Sequence, residues 1–237
     1  MQSSSEMTMI GAMRYPGGKG KCYQRIINLI PAHTVFIESH LGGGAVMRHK
    51  KPALVNIGID IDPCVIQRWQ AVQPPICHLV LADATAYLEK YPFTGTELVY
   101  CDPPYVMATR RQSRVYRYDF EDEDHQRLLA VLKALPCMVL LSGYDNPLYA
   151  EALAGWGKTS FLARTRVDMR EECLWFNFEP PKRLHDGTHL GATFRERQTI
   201  KRRHQRWLTR LDTMEPDERS HLLALIRDKY MQEGPHT

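Results

Sequence analysis

Short apolar segments that each end in an acidic or polar residue recur between residues 35 and 142 and alternate with segments of helical periodicity. The apolar segments span residues 35–38, 54–61, 78–82, 97–101 and 138–142, and helices are expected after residue 44 and at 63–72, 85–90 and 122–134. Alternation of this kind is typical of a parallel sheet, whose strands all end at one edge. The pattern predicts an α/β, doubly wound, mostly parallel sheet with a functional site at the carboxyl edge.

The pattern changes after residue 142. Residues 159–167 and 172–178 are rich in β-formers and predict an antiparallel pair of strands at one edge of the sheet. Pro180 and Pro181 interrupt the regular pattern, and two helices are expected beyond them, at 195–211 and 217–231. We therefore expect a main domain over residues 1–181 and a small, basic helical extension over residues 182–237.

The composition is that of a folded globular protein. Hydrophobic residues make up 43% of the chain and charged residues 24%, which argues against disorder. No apolar run is long enough to cross a bilayer, and the polar N-terminus has no signal-peptide pattern, so a cytoplasmic protein without membrane association is expected. The six cysteines lack the close spacing of metal ligands, so we expect free thiols and no metal site.

Positive charge is concentrated in two places, although the formal net charge is only +4. Residues 195–210 contain seven basic residues and one acidic residue, and residues 110–117 contain four arginines. Such concentrated charge favours a polyanionic partner such as nucleic acid, although a solvated helix face and a polar loop would give the same pattern. The candidate phosphate contacts are Arg110, Arg111, Arg114, Arg117, Lys201, Arg202 and Arg203.

The sequence Asp102-Pro103-Pro104-Tyr105 directly follows a predicted buried strand. The exocyclic amine of a purine is a poor nucleophile because its lone pair is delocalised into the ring. The Asp102 carboxylate and the Pro103 carbonyl can accept its two N–H hydrogens and free that lone pair, while the two prolines fix the backbone. Tyr105 can stack on a base flipped out of a duplex. An ordinary strand-to-turn boundary with an Asp cap is the alternative.

A glycine-rich turn follows the first predicted strand, and it lets a cofactor approach the backbone closely at a helix N-terminus. The turn begins at Glu38 and includes Leu41 and Gly42. Asp60 and Asp83 end the next two strands and are placed to accept hydrogen bonds from the ribose hydroxyls and the adenine amine of a nucleoside. Each of these aspartates taken alone could equally be a helix cap.

Residues 14–21 share features with a phosphate-binding loop, but two substitutions argue against one. Tyr15 stands where such a loop has its leading glycine, and Cys22 replaces the Ser or Thr that binds magnesium. Lys19 and the backbone N–H groups of this loop are better suited to binding a carboxylate.

Together these residues resemble the Dam-like, D12 class of DNA adenine-N6 methyltransferases, especially its short phage and prophage members. The resemblance runs from Arg14 to about Phe178 and includes the order of the motifs, with Tyr-Pro-Gly-Gly-Lys first, the glycine turn second and Asp-Pro-Pro-Tyr third. The stretch from Glu171 to Asn177 is also similar to a family signature. The resemblance implies a Rossmann-like class I methyltransferase domain over residues 1–181 and a role such as restriction-modification.

The resemblance further implies methyl transfer from S-adenosyl-L-methionine to N6 of adenine in DNA, by base flipping and direct in-line attack. Tyr15, Lys19 and the glycine turn would hold the methionine part of the cofactor. The implied cofactor-binding residues are Tyr15, Lys19, Glu38, Leu41, Gly42, Asp60, Ile61, Asp83 and Asp102. The implied target-base residues are Asp102, Pro103, Pro104 and Tyr105.

The chain departs from the family pattern in two places. Ser39-His40 stands where family members usually have Pro-Phe, and we expect His40 to substitute for an apolar packing residue. Full-size relatives insert a helical target-recognition domain after the ribose-binding aspartate, whereas here only 41 residues separate Asp60 from Asp102. Phosphate contacts position a protein without specifying sequence, so we expect short or relaxed sequence recognition.

Two alternatives stay open from the residues. The acceptor pair suits any exocyclic amine, so the substrate could instead be adenine in RNA or the N4 amine of cytosine. A catalytically inactive relative that only binds nucleic acid would retain the same motifs.

Overall fold

The computed structural model describes residues 18–20, 22–110, 117–164 and 169–230. The chain divides into two compact units, Met1–Thr188 and His189–Thr237. Residues 182–188 belong to the first unit, where the His185 amide donates to the Ile30 carbonyl and Asp186 accepts from the Lys51 amide. Among the described residues, no helix combines the length and the apolarity that crossing a bilayer requires.

A seven-stranded sheet forms the centre of the first unit. Its strands are β1 (Val35–Glu38), β2 (Val55–Asp60), β3 (His78–Leu81), β4 (Glu97–Cys101), β5 (Met138–Gly143), β6 (Gly157–Arg164) and β7 (Met169–Phe176). The strand order is β3-β2-β1-β4-β5-β7-β6, with the first five parallel and β7 antiparallel to both β5 and β6. The expected doubly wound, mostly parallel, Rossmann-like sheet is confirmed, including its antiparallel edge.

Helices and one short 3₁₀ turn connect the strands. They are α1 (Tyr23–Ile27), α2 (Ala45–His49), α3 (Pro63–Gln70), α4 (Ala84–Lys90), a 3₁₀ turn (Met107–Thr109), α5 (Asp122–Ala134) and α6 (Pro147–Ala152). The sequence pattern missed α1, α6 and the 3₁₀ turn because elements of three to six residues are too short to show helical periodicity. The second unit consists of α7 (Phe194–Asp212) and α8 (Pro216–Tyr230), the two helices expected after the proline pair.

Alternate residues of the central strands enter two hydrophobic clusters on opposite faces of the sheet, as the two-residue period of a strand requires. In β4, Val99 and Cys101 join one cluster, while Leu98 and Tyr100 join the other. All five residues of β4 are buried, which is typical of a parallel strand covered by helices on both faces. The end of β4 is therefore held rigidly beneath the carboxyl edge of the sheet.

The chain order reverses at β1, which pairs with β2 on one side and with β4 on the other. Ligands of open α/β sheets bind where the strand order reverses in this way, because the two outgoing loops diverge and leave a crevice between them. The fold alone thus points to the ends of β1 and β4 as the place for a site.

The glycine turn after β1 is fixed by a tryptophan from α3. Trp69 donates its ring N–H to the Gly42 carbonyl at 2.9 Å. Gly44 has a φ of 52° and precedes α2, and a Cβ atom at this position would overlap the Trp69 ring. Gly44 is therefore required both for the left-handed backbone conformation and for the close approach of the Trp69 indole.

Replacing Gly44 with alanine should destabilise the protein by about 2–4 kcal/mol, because the new methyl group adds overpacking to left-handed strain. Gly155→Ala is the matched control, since Gly155 has a φ of 92° but open space around its Cα. It should cost only about 1 kcal/mol, from backbone strain alone. Urea unfolding of both variants measures the difference, and equal losses would contradict the packing role of Gly44.

Candidate active site

A cavity of about 430 Å³ opens at the carboxyl edge of the sheet. It is lined by residues that follow β1, β2, β3 and β4 and by the segment before α1. Gly42, Asp60, Asp83 and Asp102 line it together with Lys19. These five residues, which the sequence analysis assigned to the cofactor and the target base, thus come together in one place, although they are spread over more than eighty positions of the chain.

Asp102 lies directly after β4 with its side chain 17% exposed. Its Oδ1 atom accepts a hydrogen bond from the Ser142 hydroxyl at 2.7 Å and from the Lys19 ammonium at 2.6 Å. Both bonds end on the same oxygen, which fixes the carboxylate and directs its other oxygen away from these two donors. Sequence analysis missed Ser142, whose signal was a polar residue within the otherwise apolar strand β5.

The ammonium of Lys19 lies between two carboxylates. It is 2.6 Å from Asp102 Oδ1 and 3.3 Å from Glu172 Oε1, and its side chain is 6% exposed. Burial by itself would lower the pKa of Lys19, but the charges of Asp102 and Glu172 outweigh burial and raise the pKa above its ordinary value. Lys19, assigned from the sequence to a cofactor carboxylate, is thus a permanent cation that the structure pairs with protein carboxylates.

Tyr105 is buried in a polar and aromatic surrounding rather than displayed to the cavity. Its hydroxyl donates to Glu172 Oε1, and its ring packs edge-on against Tyr144 with centroids 4.5 Å apart. The Lys19 ammonium is 4.7 Å from the ring centroid. Of the Asp-Pro-Pro-Tyr motif, Asp102 and Pro104 line the cavity. Tyr105 does not line the cavity, and its stacking on a base stays a prediction.

Two acidic side chains hold the glycine turn in place. Glu38 is buried and accepts from the Met47 amide in α2 at 2.8 Å, and burial raises its pKa to about 8. Asp60 accepts from the amides of Gly42 at 2.8 Å and Asp62 at 2.9 Å. Burial also raises the pKa of Asp60 above its ordinary value. Both carboxylates line the cavity while they anchor its wall.

The remaining predicted cofactor residues lie on the same wall. Leu41 is buried and its amide donates to the Ile59 carbonyl, which joins the turn to β2. Ile61 is 43% exposed and offers an apolar surface to the cavity. Asp83 caps α4 by accepting from the Ala86 amide at 2.7 Å.

The segment before α5 supplies part of the cavity wall that sequence analysis missed. Tyr118, Asp119 and Phe120 all line the cavity. The signal in the sequence was weak, because a mixed aromatic and acidic stretch is also common in plain loops. Tyr118 and Phe120 add two aromatic rings to the cavity wall.

Two arginines assigned from the sequence to phosphate contacts are engaged elsewhere in the structure. Arg110 is only 6% exposed, with its guanidinium 2.6 Å from Asp119 Oδ1 and its Nε donating to the Tyr105 carbonyl. Arg117 donates to the Cys64 sulfur at 3.0 Å and lies 3.4 Å from Asp62 Oδ1. The placement of Arg110 at a phosphate-binding surface is corrected by its burial.

Three predicted residues lie outside the described part of the chain. Tyr15, expected at the cofactor, and Arg111 and Arg114, expected at phosphates, fall in the ranges 1–17 and 111–116. Their roles stay predictions.

His40 lines the cavity directly before the glycine turn residue Leu41. Its Nδ1 lies 3.0 Å from the Ser39 hydroxyl and 3.5 Å from the Cys101 sulfur, and its ring packs edge-on against Phe120. Burial lowers the pKa of His40 to about 4, so the ring is neutral at physiological pH. A neutral ring packed on an aromatic neighbour fits the expected role of a packing residue.

The second unit carries the basic surface expected from the sequence. Lys201, Arg202 and Arg203 are exposed on α7, as are all residues from 201 to 210. Trp207 is 59% exposed, and the Arg210 guanidinium lies 5.9 Å from the centroid of its ring.

Among the described residues, no group of three His, Cys, Asp or Glu side chains is arranged to hold a metal ion.

Among solved structures, similar folds occur at low sequence identity. A precorrin 8W decarboxylase from Methanobacterium thermoautotrophicum is 12% identical, with a TM-score of 0.44 over 70% of this chain and 94% of that one. TrmK from M. capricolum, in complex with S-adenosyl-homocysteine, is 8% identical with a TM-score of 0.43 over 87% and 95%. The magnesium protoporphyrin IX methyltransferase from Synechocystis, with bound SAM, is 14% identical with a TM-score of 0.41 over 65% and 78%. These likenesses are too distant to assign a function.

A family model gives a more specific result. The model of the D12 class N6 adenine-specific DNA methyltransferases matches residues 15–92 and 82–163, which together cover more than half of the chain. Among curated proteins, none matches the sequence significantly. The matched residues include the glycine turn, Asp60, Asp83 and the Asp-Pro-Pro-Tyr motif. Of these, the glycine turn, Asp60, Asp83, Asp102 and Pro104 line one cavity. The chain belongs to the family of D12 class N6 adenine-specific DNA methyltransferases.

Proposed function

We propose that the protein transfers a methyl group from S-adenosyl-L-methionine to N6 of adenine in DNA. The main support for this proposal is the position of Asp102. Its carboxylate is held by the Ser142 hydroxyl and lines the same cavity as the glycine turn, Asp60 and Asp83. The residues that we assign to the nucleoside and the acceptor that we assign to the exocyclic amine thus line the same cavity.

The cavity fits the cofactor in size and in the chemistry of its walls. Its volume of about 430 Å³ lies within the range of small-molecule sites. Asp60 and Asp83 offer acceptors for ribose hydroxyls and an adenine amine, and Ile61 and Phe120 offer apolar surface for a ring. The glycine turn brings backbone groups close to the ligand. Glu38 and Asp60 hold this wall rigid, so binding does not have to order it.

The cofactor supplies a methyl group made electrophilic by the attached sulfonium. The protein then has to orient the adenine amine and accept its hydrogens. Lys19 and Ser142 both bind Oδ1 of Asp102, so we assign Oδ2 as the acceptor for one N–H of the amine. The Pro103 carbonyl would accept the other, which frees the nitrogen lone pair for direct in-line attack on the methyl carbon. The N–C bond would form as the C–S bond breaks, the neutral thioether would leave, and the extra proton of the amine would pass to Asp102 Oδ2. No cysteine takes part in this scheme.

Replacing Asp102 with alanine should lower the rate of methyl transfer at least about 100-fold, because the amine loses its charged acceptor. The Kd for S-adenosyl-L-methionine should change less than about threefold, because the glycine turn, Asp60 and Asp83 are retained. Single-turnover transfer of labelled methyl groups and calorimetric titration measure the two quantities.

Asp145→Ala is the control for this experiment, since Asp145 lies close to the end of β5 but pairs with Lys158 at the surface, at 2.8 Å. It should keep the rate of the unchanged protein. Near-normal activity of the Asp102 variant would show that the acceptor role is wrongly assigned.

We further propose that the second unit contributes phosphate contacts through α7. Lys201, Arg202 and Arg203 are exposed on a helix of nineteen residues that carries few acidic side chains. Phosphate contacts supply affinity without reading sequence. An adenine within a duplex is stacked and paired, so we expect base flipping to accompany its binding beside Asp102.

Changing Lys201, Arg202 and Arg203 together to alanine should weaken DNA binding and reduce the dependence of affinity on salt. Each lost phosphate contact removes about 0.9 from the slope of log K against log salt concentration, so three contacts remove roughly 2–3 units. Fluorescence anisotropy with a labelled duplex, at several salt concentrations, measures the slope.

The matched control removes three positive charges from α8, at Arg219, Arg227 and Lys229. If binding depends on α7, the control keeps most of the salt slope. An equal reduction in both variants would instead indicate that only net charge matters, and would refute specific contacts from α7.

Sequence recognition should be short or relaxed, because the segment between Asp60 and Asp102 is filled by elements of the sheet, from α3 to β4. We expect adenine methylation at many sites without a shared long motif when the protein is expressed in a host that lacks other adenine methylation. Single-molecule sequencing of the host DNA measures this, and strict dependence on one long site would contradict it.

Hydrolysis of methylated DNA and RNA to nucleosides identifies the product and separates N6-methyladenine from N4-methylcytosine.

A further inference from the structure

Glu172 is a buried carboxylate to which the proposed reaction gives no role. It lies on β7, within the stretch from Glu171 to Asn177, and is 4% exposed. Burying an ionised carboxylate is unfavourable unless it is paired and hydrogen-bonded. The groups that contact Glu172 therefore indicate its role.

Both interactions of Glu172 are made by one oxygen atom. Oε1 accepts the hydrogen bond of the Tyr105 hydroxyl and lies 3.3 Å from the Lys19 ammonium. Lys19 in turn is 2.6 Å from Asp102 Oδ1. Glu172 is thus joined to the last residue of the Asp-Pro-Pro-Tyr motif directly, and to the first residue through Lys19.

This arrangement fixes both ends of a four-residue segment. The carbonyl assigned as the second acceptor for the amine belongs to Pro103, which lies between the two fixed ends. Because the prolines restrict the backbone between them, fixing the ends also restricts the direction of this carbonyl. A single side chain on the antiparallel strand can therefore determine the orientation of both acceptors.

The two donors that bind Glu172 keep their protons at neutral pH. Burial and the neighbouring charge of Glu172 raise the pKa of Tyr105 well above its ordinary value, and Lys19 remains cationic between its two carboxylates. The hydrogen bond from Tyr105 and the ion pair with Lys19 therefore persist through the range of pH in which the protein would act.

We propose that Glu172 is a positioning residue for methyl transfer, which orients Asp102 through Lys19 and orients Tyr105 through its hydroxyl. This inference rests on the proposed function of the same site. Glu172 does not line the cavity, whereas the glycine turn and Asp60 do. Its removal should therefore reduce the rate of transfer and leave cofactor binding intact.

Glu172→Gln is the informative substitution because it keeps the size of the side chain and an oxygen that can accept from Tyr105. It removes the charge, so Lys19 is drawn to Asp102 alone and the orientation of that carboxylate changes. Glu171→Gln is the matched control. Glu171 is the preceding residue on the same strand, is exposed, and accepts from the Ser160 hydroxyl at 2.5 Å.

The experiment measures transfer of tritiated methyl groups from S-adenosyl-L-methionine to nucleic acid in a single turnover. Rates are normalised to the number of cofactor-binding sites found by calorimetry, so that unfolded protein does not contribute. We expect Glu172→Gln to lower the rate at least about tenfold while the cofactor Kd changes less than about threefold. Glu171→Gln should match the unchanged protein in both. A wild-type rate for Glu172→Gln, or an equal loss of rate and of cofactor affinity, would overturn the proposal.

Tyr105→Phe tests the hydrogen bond between Tyr105 and Glu172, since it keeps the ring and removes the hydroxyl that donates to Glu172. If the two residues act through their hydrogen bond, the combined variant loses less than the product of the two separate losses. Losses that multiply would show that Glu172 does not orient Tyr105, and would overturn that half of the proposal.

Identifying the methylated nucleoside in the same reactions separates this inference from the proposed function. A wild-type product other than N6-methyladenine in DNA would overturn the proposed substrate, while the comparison of Glu172→Gln with Glu171→Gln would still decide the positioning role. A wild-type protein inactive on every nucleic acid would overturn both.

Discussion

The buried ammonium of Lys19 connects parts of the chain that are distant in sequence. It comes from the segment before α1, and its partners are Asp102 at the end of β4 and Glu172 on β7. An ammonium this deeply buried is stable only because two carboxylates surround it, and each carboxylate needs the ammonium in return. The acceptor of the proposed reaction is therefore held by an electrostatic centre that forms only when the parallel part of the sheet and its antiparallel edge are both in place.

The sheet provides the setting for this centre. Reversal of strand order at β1 places the ends of β1 and β4 beside an open crevice, while burial of β4 on both faces keeps Asp102 from shifting. The glycine turn completes the crevice, and Trp69 and Asp60 hold it against α3 and β2. Rigid support on every side explains how a cavity of this size can present several carboxylates at fixed positions.

Local patterns in the sequence were enough to predict the strands, the main helices and the aspartates at the strand ends. Those features depend on the spacing of apolar residues along the chain and on the acidic residue that ends a strand. Both are visible in residues that are close together in the sequence. The partners of these residues could not be predicted in the same way. Ser142 contacts Asp102, which is 40 positions away, and Glu172 contacts Tyr105, 67 positions away, and Lys19, still more distant in sequence. Arg110 turns inward to Asp119, although its sequence neighbours suggested a surface loop. Charge alone does not reveal whether an arginine faces solvent or a buried acid.

Several aspartates at the cavity serve the backbone as well as the site. Asp62 and Asp83 accept hydrogen bonds from the first turns of α3 and α4, and Asp60 ties the glycine turn to β2. Truncating Asp62 or Asp83 to alanine removes a helix cap worth about 1 kcal/mol along with any ligand contact, and truncating Asp60 removes the acceptor for the Gly42 amide. Alanine scanning of this cavity therefore mixes stability with affinity, and asparagine, which keeps the capping oxygen but not the charge, separates the two.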